Sequence, residues 1–229
     1  MLQFISYPKS GRSWLRYALT YLDVAKDIKF HHDGFEFNRA AKPAHNFSLN
    51  DRLERYQGQS RIIYLTRDPR DLMVSLYFQI TGRYGPVFSY EGSISDFIRD
   101  EYFGAENLQK FREIWDNLCA KNIALKVTYE SCHQDFSAVL SQIVQYYEMP
   151  ISPDEISRAK NNASFENMKR KEQARTFPKN WLKPKNGSPK MRRGVTGGYP
   201  DYLTALDIEY LNEIFALKPE IEIEEGLNS

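Results

Sequence analysis

The chain has 229 residues, with 31 lysines and arginines against 30 acidic residues and a net charge of +1. That length suits one α/β domain with a substantial core, and residues 1–229 are read as a single domain. The charge balance argues against a dedicated nucleic-acid binder, which needs a strongly basic domain, and no apolar run is long enough to span a bilayer.

The first signal is Phe4-Ile5-Ser6-Tyr7-Pro8-Lys9-Ser10-Gly11-Arg12-Ser13-Trp14. An apolar run passes through small residues into a segment where Trp14, Leu15, Ala18, Leu19 and Leu22 share one helical face, so it reads as strand, phosphate loop and helix over 14–22. A helix N-terminus presents unpaired N–H groups and the positive end of its dipole, which makes a seat for phosphate. Lys9 and Arg12 add charge there, and Trp14 offers a flat surface for a nucleobase. The loop lacks the Gly-Lys-Ser/Thr of a Walker A sequence, so ordinary nucleoside triphosphate chemistry is not expected.

Residues 23–50 show no clear periodicity. They hold His31, His32 and His45 with Phe30, Phe35, Phe37 and Phe47, a composition fit either to wall an acceptor pocket or to pack a loop. His31-His32 lacks further ligands at metal-binding spacing, so no metal site is expected. Ile62 to Thr66 reads as a buried parallel strand. Asp68 is a good N-cap and Pro69 fits the first position of a helix running to about Gly82. Arg67 therefore falls at the carboxyl end of a strand, where open α/β sheets bind ligands, and Ser75 lies two turns into the helix. The residues alone leave Arg67 either an anion ligand or a surface ion-pair partner of Asp68 or Asp71.

Further helices are expected over 93–103, 106–121, 134–148 and 203–217, with a strand over 123–129 and a short helix from Asp154. Strands alternating with crossover helices imply a central parallel sheet with helices on both faces. Residues 166–193 carry ten basic residues against Glu166 and Glu172. With prolines 178, 184 and 189 and Asn186-Gly187, they read as a mobile basic segment without a long regular element, able to close over an anion. Cys119 and Cys132 form no Cys-x-x-Cys pair and are expected to be free thiols in a reducing compartment. Met1-Leu2-Gln3 runs straight into the first strand, so no signal peptide and a cytoplasmic location are expected.

Tyr-Pro-Lys-Ser-Gly-x-Ser-Trp resembles the 5′-phosphosulfate loop of cytosolic-type sulfotransferases, which use 3′-phosphoadenosine 5′-phosphosulfate (PAPS) and release 3′,5′-ADP (PAP). Arg67 and Ser75 are similar to the family's arginine and serine that hold the 3′-phosphate. Lys190-Met191-Arg192-Arg193-Gly194 resembles its C-terminal Arg-Lys-Gly segment, with Arg193 in place of lysine. Tyr129-Glu130 and Ser164-Phe165 resemble the segments around the adenine, Phe165 and Trp14 being the stacking rings. Pro43-Ala44-His45 falls before Arg67 at the spacing of the family's Lys-Thr-His. The dimer motif Lys-x-x-x-Thr-Val-x-x-x-Glu has only a partial echo in Thr204-Ala205 and Glu209, with Pro200 at the lysine position, so a homodimer has no intact motif behind it.

The resemblance implies that Lys9, Ser10, Gly11, Arg12, Ser13 and Trp14 bind the 5′ end of PAPS. Arg67, Ser75, Arg192, Arg193 and Gly194 would bind the 3′-phosphate, with Tyr129 and Phe165 near the base. His45 would be the general base and Lys9 would stabilise the leaving phosphate, held off by Ser10 until the acceptor arrives; no metal is implied. The acceptor would be a small molecule or glycan, its lining drawn from the aromatic-rich stretches 30–50, 78–92 and 175–190. Two other readings are a phosphoryl transferase with a divergent phosphate loop, marked by magnesium dependence, and a non-catalytic polyanion-binding module, marked by salt-sensitive binding without turnover.

Overall fold

Strands β1 (Leu2–Ser6), β2 (Ile28–His31), β3 (Ile62–Thr66) and β4 (Ala124–Thr128) form one parallel sheet in the order β2-β1-β3-β4. These elements come from a computed structural model that describes residues 1–35, 47–58, 61–177 and 179–217. β1 pairs with β2 from Leu2↔Ile28 and with β3 from Gln3↔Ile62, and β3 pairs with β4 from Ile62↔Ala124.

The sheet is covered on both sides, which explains why β1 and β3 read as continuous apolar runs. Side chains alternate across a strand, so Ile5, Ile62 and Tyr64 enter one core while Phe4, Ile63 and Leu65 enter the other. The first core is closed by α3 (Pro69–Phe78), the short α4 (Gly85–Phe88) and α5 (Ile94–Ile98), and by α6 (Ala105–Ala120), whose Trp115 is fully buried. The second is closed by α1 (Arg12–Tyr21), α8 (Phe136–Tyr146) and α9 (Pro153–Asn162). The remaining helices are α2 (Leu49–Tyr56), α7 (Tyr129–Gln134), α10 (Phe165–Gln173) and α11 (Ala205–Ile214). The expected parallel sheet with helices on both faces is the observed architecture.

Two elements, β2 and α2, are not among the expected ones. β2 is an edge strand in which only Ile28 is fully buried, so it lacks the apolar run of a central strand. α2 is anchored by polar groups: Arg52 Nε and Tyr56 Oη donate to the buried Asp33 carboxylate at 2.9 and 2.6 Å. Its apolar stripe is short, Leu49, Leu53 and Tyr56 packing on the first core.

The basic segment also corrects its expectation, because its first third is the helix α10. Ser164 caps that helix by accepting from Asn167 N, and Met168 and Glu172, four residues apart, are its buried positions. The inward glutamate accepts the backbone N–H groups of Lys190 and Met191, tying the far end of the segment to the helix. Cys119 and Cys132 are free.

Candidate active site

The chain leaves β1, forms α1 and β2 on one side, then crosses to β3 on the other side of β1. The carboxyl ends of β1 and β3 therefore flank the point where the winding reverses, the place where open α/β sheets leave a crevice. A cavity of about 360 Å³ opens there, lined by the loop after β1, the start of α3 and the segment 188–195.

The loop after β1 is tightly wound. Lys9 and Gly11 have φ of +74° and +96°, and Ser10 Oγ donates to Tyr7 O at 3.0 Å. A non-glycine residue in the left-handed region is strained, and such residues cluster at functional sites. Gly11 is the N-cap of α1 and supplies no side-chain cap, so no capping side chain competes with a ligand for the start of the helix. A Cβ on Gly11 would lie 2.3 Å from Tyr129 Cδ2; glycine here permits the loop to close on that ring. Lys9, Arg12, Ser13 and Trp14 all line the cavity.

At the end of β3, Asp68 caps α3 by accepting from Arg70 N, and Pro69 takes the first helical position, as expected. Arg67 is 10% exposed and pairs with Asp71 at 3.6 Å, so the ion pair expected as an alternative exists but lies inside the crevice. Its Nη2 donates to Val195 O and its guanidinium lies 4.3 Å from the Tyr129 ring centroid. Arg67 Nε is buried with no hydrogen-bond partner among the described residues, an unmet donor that an anion would satisfy. Ser75 faces the same cavity from two turns along α3.

The aromatic wall comes from several elements. Trp14 stacks on Phe136 at 4.6 Å and donates through Nε1 to Ala163 O at 2.7 Å. Tyr129 meets it edge-on, and Phe165 packs against Gly194, where a Cβ would stand 2.3 Å from the ring. Arg192 donates to Tyr202 Oη, and Arg193 pairs with Asp201. Glu130 accepts from Asp68 N at 2.8 Å, linking the β4 end to the Arg67 loop. Every expected site residue among the described ones except Ser10 lines this cavity; His45 lies outside the described residues.

His32, named above with the other histidines, lies at the cavity, and His133 and Arg83 join it without having been singled out. His32 accepts from Arg12 Nη2 at 2.7 Å and its Nδ1 donates to Ser6 O at 2.6 Å, an assignment fixed by the partners. Burial first, and then Arg12, hold its pKa well below the usual histidine value. His133 packs beside Trp14 and Tyr129, and Arg83 enters from the π-helical turn Gln79–Arg83. Lys9 is pushed well below the usual lysine range, by burial first and then by Lys190, Arg83, Arg67 and Arg192. Burial and then Arg83, Arg12 and Lys185 bring Lys190 down to about 8. The cations have too little counter-charge, so an anionic ligand is the missing partner.

The aromatic acceptor lining expected from residues 78–92 is only partly present. Phe78 lines the cavity, whereas Phe88 and Tyr90 pack on Phe97 and Phe103 in the core. Among the described residues no group of His, Cys, Asp and Glu is placed to hold a metal, and no helix is long and apolar enough to cross a membrane.

Comparison with known proteins agrees with this geometry. The family described as sulfotransferase domain matches residues 51–221. Sulfotransferase 2A2 of Mus musculus is 23% identical over 95% of this chain and 83% of its own length. Mouse Sulfotransferase 2A6 is 24% identical over 93% and 82%. Among solved structures, mouse sulfotransferase SULT7A1 complexed with PAP superposes with a TM-score of 0.66 at 18% identity, over 94% of this chain and 82% of that one. Retinol dehydratase in complex with androsterone and PAP gives 0.64 at 18%, over 94% and 79%. The expectation of a phosphoryl transferase or a non-catalytic module gives way to this match, which spans most of the chain. The chain belongs to the sulfotransferase domain family and is an enzyme of that class.

Proposed function

We propose that residues 1–229 act as one domain that transfers a sulfuryl group from PAPS to a hydroxyl or amine of a small-molecule or glycan acceptor. The observation that carries the reading is the meeting, in one cavity, of an uncapped helix N-terminus, Lys9 and the unmet Nε of Arg67. The cavity lies within the roughly 300–1,000 Å³ of small-molecule sites. Its residues fit the donor: N–H groups and Lys9 at one end, Arg67, Ser75, Arg192 and Arg193 at the other, and Trp14, Tyr129 and Phe165 as a wall for the base. When bound, the donor supplies a sulfuryl group activated by a phosphate leaving group.

In this reading the backbone N–H groups of the loop at the start of α1 hold the 5′-phosphate. Arg67, Ser75, Arg192, Arg193 and the Gly194 backbone hold the 3′-phosphate and reject nucleotides without it. Lys9 faces the charge that develops on the leaving oxygen; a bound anion restores the protonated state that its cationic neighbours disfavour. Ser10 holds Lys9 aside until the acceptor arrives. His45 takes the acceptor proton, since its ordinary pKa lies near neutrality. Positioning the acceptor in line contributes up to about 7–11 kcal/mol.

The test is thermal stability with PAP, 5′-AMP and ATP–magnesium in parallel, followed by turnover with labelled PAPS. A shift with PAP alone supports the reading, of about 3 kcal/mol at a hundredfold excess over Kd; a shift with ATP–magnesium alone refutes it. His45→Ala is expected to abolish turnover with PAP binding unchanged, and undiminished turnover removes His45 from the mechanism.

A further inference from the structure

Arg12 is the first residue of α1, and a histidine from another element holds its guanidinium. The parallel register of β1 and β2 runs from Leu2↔Ile28 to Ile5↔His31, so His32 comes next, beside Ser6 at the end of β1. Its Nδ1 lies 2.6 Å from Ser6 O and its Nε2 lies 2.7 Å from Arg12 Nη2. A guanidinium can only donate, so Nε2 is the acceptor and Nδ1 carries the proton that Ser6 O receives. The ring is a neutral bridge from the root of the loop after β1 to the first turn of α1. His32 and Arg12 both line the cavity. His32 follows β2 and Arg67 follows β3, on opposite sides of β1, so the pair stands apart from the arginine given to the 3′-phosphate.

The imidazole is itself held in place. Phe35 N donates to His32 O at 3.0 Å. On one side of it, His31 Nε2 donates to Gln3 Oε1 at 3.0 Å and His31 Nδ1 accepts from Asp33 N at 3.2 Å. On the other, Arg52 and Tyr56 grip the buried Asp33 carboxylate. Residues 31–33 are thus pinned to β1 and α2 by bonds within the protein. An arginine side chain loses rotamer freedom when it grips a ligand, and presetting it removes that cost. Asp71 presets Arg67 with a carboxylate at 3.6 Å, which offsets part of its charge. A neutral imidazole directs a guanidinium without offsetting its charge, which suits an anion at a helix start.

We propose that His32 is a positioning residue for the sulfuryl donor, aiming Arg12 at the phosphate on the donor's 5′ side. This rests on the PAPS-dependent reading above, which gives Arg12 that end. His32 takes no proton from the acceptor in this role, because Arg12 occupies the lone pair of Nε2. Loss of one well-aimed charge-assisted hydrogen bond weakens a phosphate ligand by roughly tenfold.

The experiment is calorimetric titration with PAP and with adenosine 3′-monophosphate, which lacks the 5′-phosphate. His32→Leu is expected to weaken PAP by roughly tenfold and the monophosphate by less than about twofold. His32→Gln, whose amide oxygen can accept from Arg12, is expected to restore PAP binding to within about twofold. In an Arg12→Gln background His32→Leu should cause no further loss, since coupled residues are not additive. Unchanged PAP affinity in His32→Leu overturns the inference, as do equal losses for both nucleotides, no recovery in His32→Gln, or a full loss that persists in the Arg12→Gln background. Nitrogen NMR of the unaltered protein decides without a variant, should His32→Leu not fold. A His32 ring that stays neutral with its proton on Nδ1 in the PAP complex supports the role, and a protonated ring or a proton on Nε2 overturns it. Failure of PAP to bind the unaltered protein shows instead that the cofactor reading is wrong, and the inference falls with it.

Discussion

Replacing Gly11 by alanine tests whether the loop after β1 and Arg67 are one mechanical unit. The backbone at Gly11 has φ +96°, and an added Cβ would stand 2.3 Å from Tyr129 Cδ2 and 2.7 Å from Cε2. The ring cannot simply retreat, because Tyr129 is buried, meets Trp14 and His133 edge-on and carries the Arg67 guanidinium over its face. The left-handed backbone costs an alanine roughly 1 kcal/mol and overpacking a further ~1–3 kcal/mol. The sum of about 2–4 kcal/mol lowers Tm by roughly 4–16 °C in a domain of this size. Gly58→Ala is the control: its φ is +72°, yet nothing lies within 4 Å of the added Cβ, so backbone strain alone gives a loss of roughly 2–4 °C. Calorimetry of the two variants reads stability, and PAP titration reads the coupling, since a displaced Tyr129 also displaces Arg67. Equal losses of Tm in both variants, or unchanged PAP affinity in Gly11→Ala, would refute the clash.

Arg67→Gln is expected to weaken PAP far more than 5′-AMP in parallel titrations, and equal losses would show that Arg67 does not read the 3′-phosphate. Asp33→Asn breaks the buried pair with Arg52 and weakens the bond from Tyr56. It should cost about 3–5 kcal/mol in urea unfolding because the Arg52 charge is left uncompensated; a loss below about 1 kcal/mol would count against that origin. His32 has its folded pKa held below the unfolded value of about 6.5, so between those two values the unfolded chain binds the extra proton. Stability should therefore fall on acidification through that window, by up to about 1.4 kcal/mol per pH unit from this group. His32→Gln should flatten that slope, with His133, also shifted down mainly by burial, supplying the remainder.

Legibility followed the physics of each signal. Phe4-Ile5 and Ile62-Ile63 sit in strands buried on both faces, so their runs announced the sheet. Asp68-Pro69 marked the start of α3 because capping is local chemistry. β2 lacks the apolar run of a central strand, and α2 is a two-turn helix with only Leu49, Leu53 and Tyr56 on the core, too short a pattern to stand out. The cap at Ser164 was equally local, but the flanking basic run hid the helix it starts. His133 and Arg83 could not be found from spacing, because each reaches the cavity only through contacts between residues distant in the chain.

The sequence by itself determined the parallel α/β class, the loop that joins β1 to α1 and the placing of Arg67 at a strand end. Each of these depends on neighbours within a few positions, where backbone periodicity and capping act. Tertiary structure alone decided which charges are balanced. Arg67 and Arg193 meet carboxylates, while among the described residues Arg83 and Lys190 have none within ion-pair distance. Lysines and arginines look alike in a sequence, and only burial and the distance to a carboxylate distinguish a solvated charge from one that awaits a ligand.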